Sequence, residues 1–239
     1  MKILAVDTSA SPVSAALVSE GKLLGEFYLN VKTTHSQTLM PIVEALLRSS
    51  GTEIGEIDVF AVNAGPGSFT GVRIGTASVK GMSMPLDKPC AQVSTLESMA
   101  YGLPYRDGIV CAVMDARCSQ VYNSLFRLNG GEVQRLTDDR ALSIGELSAE
   151  IEGYTDTIYL VGDGADLCYE RFGRDRENIV LPPQNIRYQH AYGTALAAAK
   201  AAEENRLVKS DALMPLYLRL PQAERELKAK QQNKERKDP

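Results

Sequence analysis

Histidine is scarce in this 239-residue chain, where His35 and His190 are the only two. A metal site built on two or three histidines is thereby nearly excluded, and a Ser/His/Asp triad has just two candidate bases. Cysteine is sparse as well. Cys90, Cys111, Cys118 and Cys168 form no C-x-x-C pair and sit in mostly apolar stretches, which speaks for reduced, buried thiols and against a disulfide or zinc site. No uninterrupted apolar run approaches the roughly 20 residues that cross a bilayer, so no membrane contact is expected. The first residues turn polar at Asp7, too early for the apolar stretch of a secretory signal, and a cytoplasmic location is expected. A basic excess is missing too. Lys and Arg number 26 against 30 Asp and Glu, a formal net charge of -4, whereas a domain that grips nucleic acid alone usually carries a basic field. Any contact with nucleic acid is therefore expected to be shared with a partner.

What is present is a core. Hydrophobic residues make up 44% of the chain and charged residues 23%, a balance that fits one substantial folded domain or two small lobes and excludes a disordered chain. The run Ile3 to Val6 ends at Asp7, small turn residues follow, and Val13 to Val18 returns, after which Leu23 to Val31 gives a third strand. Leu39, Val43, Leu46 and Leu47 recur at helical spacing between Thr34 and Ser50, with Gly51 as terminator and Pro41 predicted to lie in the first turn or to kink the helix. Ile57 to Asn63 reads as a buried strand, Phe69 to Met84 as a helix, and Ser94 with Glu97 as a capping box. Ile109 to Met114 then ends at Asp115, turns, and returns as Val121 to Leu128, repeating the opening unit 108 residues on. Two related lobes follow from that repeat, over 1–104 and 105–221, with a charged tail over 222–239 that lacks an apolar face. A strand at Thr157 to Val161 and an Ala-rich helix at Ala191 to Asn205 complete the second half.

Strand, Asp, turn, strand is the unit with which actin-like ATPases surround phosphate and Mg²⁺, because the metal takes oxygen ligands and a tight turn aims amides at phosphate. Asp7, Gly67, Asp115 and Asp163 are the candidates for such a pocket, here vestigial. The competing reading is an Asp that caps its own turn through an Asx bond, equally open at Asp7 and the simpler account at Asp115. The segment Gly65 to Gly75 follows a strand and opens a helix but is neither a P-loop nor a clean dinucleotide fingerprint. Gly71, Gly75 and Ser78 fall on one helix face, where absent side chains admit a second helix from within the chain or from a partner. With Val72 and Val79 beside them and Leu39, Val43 and Leu47 as an apolar ridge on the preceding helix, they are the candidate partner interface. His35, at a helix start beside Thr33, Thr34 and Ser36, reads as a cap neighbour, His190 has no acid or nucleophile at a telling spacing, and neither receives a catalytic role.

I-L-A-V-D-T-S over 3–9, H-S-Q-T-L-M-P over 35–41, N-A-G-P-G-S-F-T-G-V-R-I-G over 63–75, M-D-A-R over 114–117 and P-L-Y-L-R-L-P-Q-A-E over 215–224 together resemble the bacterial TsaB family, formerly YeaZ. The resemblance implies an α/β, actin-like (ASKHA) two-lobed fold with a truncated second lobe. It further implies a noncatalytic subunit, needing no cofactor, that pairs with a TsaD-like catalytic subunit and a TsaE-like ATPase to transfer a threonylcarbamoyl group to adenosine 37 of tRNAs reading codons that begin with A. Self-association as a homodimer is expected when the partner is absent, and tRNA contact only within the complex. The catalytic relative holds its metal through an H-x-x-x-H pair, which this sequence lacks. The alternative is a small actin-like phosphotransferase or nucleotide hydrolase that uses the four pocket candidates.

Overall fold

A computed structural model describes residues 1–103 and 106–219, so the expected tail over 222–239 and the end of the 215–224 motif lie outside the described residues. The opening apolar runs form β1 (Lys2–Asp7), β2 (Val13–Ser19) and β3 (Lys22–Leu29), after which come α1 (His35–Ser50), β4 (Val59–Gly65), α2 (Phe69–Ser83), β5 (Cys90–Ser94) and α3 (Thr95–Tyr101). The second half holds β6 (Gly108–Asp115), β7 (Gln120–Asn129), β8 (Glu132–Arg135), β9 (Arg140–Ser143), α4 (Ile144–Ile151), β10 (Ile158–Val161), α5 (Ala165–Cys168), β11 (Ile179–Val180), α6 (Gln184–Arg187) and α7 (Ala191–Glu203).

The two halves repeat one topology. The first sheet runs β3-β2-β1-β4-β5 and the second β8-β7-β6-β10-β11, with β9 added beside β7. In each, the leading strand pairs antiparallel with the next strand and parallel with a later one: β1 with β2 and β4, β6 with β7 and β10. This is the actin-like arrangement. The second lobe is reduced in its helices rather than its strands, because the three longest helices all serve the first sheet.

β1 is buried on both faces, as a strand covered by helices on each side must be. Leu4 and Val6 meet Leu39, Ile42, Val43 and Leu46 of α1 and Val79 and Met82 of α2, whereas Ile3 and Ala5 face Ala191, Ala195 and Ala198 of α7. Alanines on both surfaces, Ala5, Ala16, Ala61 and Ala91 on the sheet side, let α7 lie close. The boundary drawn at 104/105 therefore separates the sheets but not the chain. Residues from Ala191 on, expected in the second lobe, return to the first, where Leu213 is also buried. On the second sheet, Ile109, Cys111 and Val113 pack under α4 and α5, while Val110, Ala112 and Met114 meet Leu96, Met99 and Ala100 of α3 at the junction of the lobes. Pro41 sits within α1, in its second turn rather than its first, on the exposed side, where the Gln37 carbonyl loses its helical donor to water rather than to a void.

Candidate functional site

A cleft of about 950 Å³ opens between the β1–β2 turn and the β6–β7 turn. Its walls include Ser9, Ala10 and Ser11 from the first turn, Gly67 to Thr70 at the start of α2, and Asp115 with Arg117 from the second turn. Asp163 and the segment Leu216 to Arg219 complete them. Three of the four pocket candidates, Gly67, Asp115 and Asp163, thus come together.

Asp7 does not join them. Asp7 is 2% exposed, and its Oδ1 accepts a hydrogen bond from the Ser9 amide at 2.8 Å, the Asx turn of the competing reading that stood equally open there. Burial pushes its carboxyl above the usual carboxylate range, against the opposing effects of Ser9, Asn63 and His190. Asp115 repeats the turn, accepting from the Arg117 amide at 2.7 Å, but is exposed to the cleft. Burial raises Asp163 to about 6, with the Gln189 amide opposing and the Asp115 charge adding. Gly67 is required by contact: a Cβ there would overlap the Ser9 carbonyl.

The expected partner interface is corrected by the structure. Leu39, Val43, Val72 and Val79 lie in the core, Gly71 and Gly75 are buried, and Leu47 and Ser78 are half-buried. A Cβ on Gly71 would overlap the Thr8 carbonyl, and one on Gly75 would stand 2.5 Å from the Thr8 hydroxyl. The groove is filled from within the chain, because β1 ends against it. The outward stripe of α2 is instead Thr70, Arg73, Ala77, Gly81 and then Met84, which is 56% exposed, and on α1 it is Gln37, Met40, Glu44 and Arg48.

His35 lines the cleft with Nε2 at 3.2 Å from the Ser11 carbonyl, and His190 stacks on Tyr28 with Nδ1 3.5 Å from Glu26. Neither is hydrogen-bonded to a nucleophile. Sequence reasoning missed the strap Leu213 to Arg219. Its Leu216 amide donates to the Ala64 carbonyl at 2.7 Å, Tyr217 stacks on Phe69 with centroids 4.9 Å apart, and Arg73 Nε donates to the Tyr217 hydroxyl at 2.7 Å. Alternating Leu and Tyr after Pro215 marked an extended segment, but nothing local named its neighbours.

The TsaD family, described as tRNA N6-adenosine threonylcarbamoyltransferase, matches residues 23–226. Several proteins named tRNA threonylcarbamoyladenosine biosynthesis protein TsaB are similar over part or most of the chain. That of Escherichia coli (strain K12) is 30% identical over 222 residues, 92% of this chain and 95% of its own length. That of Bacillus subtilis (strain 168) is 34% identical over 146 residues, 61% of this chain and 64% of its own length. The solved structure of YeaZ from Pseudomonas aeruginosa superposes with a TM-score of 0.76 at 27% identity, covering 90% of this chain and all of that one. A second structure, an uncharacterized protein with similarity to peptidase YeaZ from Pseudomonas aeruginosa, reaches 0.80 at 28% identity, covering 91% and 99%.

Proposed function

The chain belongs to the TsaB (YeaZ) family and takes part in tRNA threonylcarbamoyladenosine biosynthesis, and we propose that it does so as a noncatalytic subunit pairing with a TsaD-like catalytic subunit and acting with a TsaE-like ATPase. The observation that carries this reading is the state of Asp7. An actin-like catalytic site needs an open carboxylate at the head of the first hairpin to meet a divalent cation. Here that carboxylate is buried and committed to its own turn. Among the described residues, Asp115 and Asp163 have no third His, Cys, Asp or Glu placed to complete a metal site. The strap also walls the cleft. With Asp7 withdrawn into its own turn, only Asp115 and Asp163 are left to face a metal-bound nucleotide, and no catalytic step is derived through one.

Pairing is assigned to the outward stripes of α1 and α2. Ala77 and Gly81 let a partner helix approach closely, and Met40 and Met84 supply exposed apolar surface beside them. Self-association as a homodimer when the partner is absent is assigned to the same surface. The net charge of -4 supports tRNA contact only within the complex.

Co-purification with a TsaD-like protein, followed by threonylcarbamoyl transfer to tRNA with and without this chain, tests the proposal. Transfer is expected to need both proteins. Transfer by this chain without a TsaD-like protein, or ATP turnover by it alone at enzymatic rates of roughly 1 to 1000 per second, overturns the proposal in favour of the hydrolase alternative.

A further inference from the structure

We propose that the strap Leu213 to Arg219 is a latch on the inter-lobe cleft, holding the β6–β7 turn of the second lobe to the first lobe through Arg219. Most of the strap is built into the first lobe. Leu213 is fully buried in its core, and the Met214 amide donates to Gln92 Oε1 at 3.0 Å. The Leu216 amide is bonded to Ala64, and the Leu216 carbonyl lies where a Cβ on Gly65 would be, a glycine held at φ +130°. Tyr217 stacks on Phe69 and its hydroxyl accepts from Arg73 Nε, while the Arg73 guanidinium itself lies 3.9 Å over the Phe69 ring. These anchors fix where the next residues emerge.

Arg219 then crosses the cleft, and its Nη1 donates to the Ala116 carbonyl at 3.2 Å. That carbonyl opens a turn in which Arg117, Cys118 and Ser119 have φ of 63°, 55° and 56°. Three successive left-handed residues without a glycine are unfavourable, and such a conformation persists where its surroundings over-determine it. Inside the turn, the Arg117 amide donates to Asp115 Oδ1, the Ala116 amide to the Gln120 carbonyl at 3.0 Å, and the Gln120 amide to the Arg117 carbonyl at 3.2 Å. The Ala116 carbonyl is bonded from outside, by the strap. The far end of the turn is held separately, by the Ile144 amide on the Ser119 carbonyl at 3.2 Å, so release of Arg219 removes the support at the Ala116 end, lets that end open, and frees one wall of the cleft. The latch stands on these contacts whether or not the chain catalyses a reaction.

Hydrogen exchange on the full chain tests it. Arg219→Ala is expected to speed exchange at the amides of Ala116, Arg117 and Gln120 by about tenfold, the scale of a hydrogen bond from a charged donor, and to leave the amides of β1 and β4 unchanged. Arg219→Lys, which restores a donor, is expected to recover part of the protection. Tyr217→Ala, which loosens the strap upstream, is expected to act on the same three amides. A nitroxide on Cys118, the exposed one of the four cysteines, gains mobility in Arg219→Ala if the latch is real. Exchange at the turn equal to wild type in Arg219→Ala overturns the proposal. So does a rise spread evenly over both sheets, which marks a general loss of stability.

Discussion

The Thr8 hydroxyl donates to the Gly71 carbonyl at 2.7 Å, pinning the end of β1 to the first turn of α2 with no space for a side chain between them. Gly71→Ala and Gly75→Leu are therefore expected to destabilise the monomer, the second by about 3 kcal/mol or more, because the overlapping atoms are backbone or buried. Gly81, on the exposed flank of the same helix, has nothing within 4 Å of a Cβ. Gly81→Leu is expected to keep the fold or stabilise it by up to about 1 kcal/mol while weakening partner pairing at least tenfold. Thermal unfolding and pull-down of the three variants separate the two faces.

That contrast marks where the sequence is legible. A stripe of missing side chains at 71, 75 and 78 looks the same whether the surface that fills it is a strand of the same chain or a foreign helix, and the deciding residue, Thr8, lies 63 positions away. Local signals read well: the core face of α1 and the Gly51 terminator match their patterns, whereas the capping box expected at Ser94 forms only by half, Ser94 accepting from the Glu97 amide at 3.3 Å while the Glu97 carboxylate takes Arg135. The four-residue strands β8 and β9 carry too few residues for alternation to register. α4 was legible but missed, since Ser143 and Glu146 form a full capping box. The strap was illegible because its bonds span more than a hundred residues, 144 for Arg73 to Tyr217 and 103 for Arg219 to Ala116.

Asp163 gives the fold a pH dependence. Its carboxyl is raised from an ordinary 3.8 to about 6, so the folded state binds its proton more tightly than the unfolded chain does. The stability it contributes is full below about pH 4 and is lost as pH rises through 6. Asp163→Asn is expected to remove that slope and to stabilise the protein at pH 7 by about 1–2 kcal/mol, allowing for screening by cleft water. Denaturant titrations at pH 4.5, 6 and 7.5 check the sign.

Asp139 ties the lobes together on another side. It accepts from the Ser94 hydroxyl at 2.5 Å and from Arg135 Nη1 at 2.5 Å, while Arg135 Nη2 reaches Glu97 at 3.3 Å. Asp139→Ala takes the acceptor from the Ser94 hydroxyl and the shortest partner from Arg135, which keeps Glu97 and Ser124, with an expected cost of about 1–2 kcal/mol. The Glu170–Arg174 pair, whose side chains are 60% and 64% exposed, is the control, and Glu170→Ala is expected to change stability by less than about 0.5 kcal/mol. Equal losses in the two variants would remove Asp139 from any role in joining the sheets.

The sharpest separation of subunit from enzyme comes from Asp7→Asn. Because burial raises the carboxyl's pKa, its stabilising contribution is full below the ordinary value of 3.8 and is lost as pH rises through the raised one, so at neutral pH the native fold bears the cost of a buried charge. An asparagine keeps an oxygen for the Ser9 amide and removes that cost. Stability at pH 7.5 is therefore expected to be unchanged or higher. Threonylcarbamoyl transfer by a reconstituted complex is expected to stay within about twofold of wild type, and Asp115→Asn, which likewise preserves its turn bond, should behave the same way. A carboxylate that moved a proton or held a metal in catalysis would instead cost about 10²- to 10⁴-fold on such a change, with the fold intact. A loss of that size in Asp7→Asn, at full stability and with pairing retained, would place chemistry in this chain.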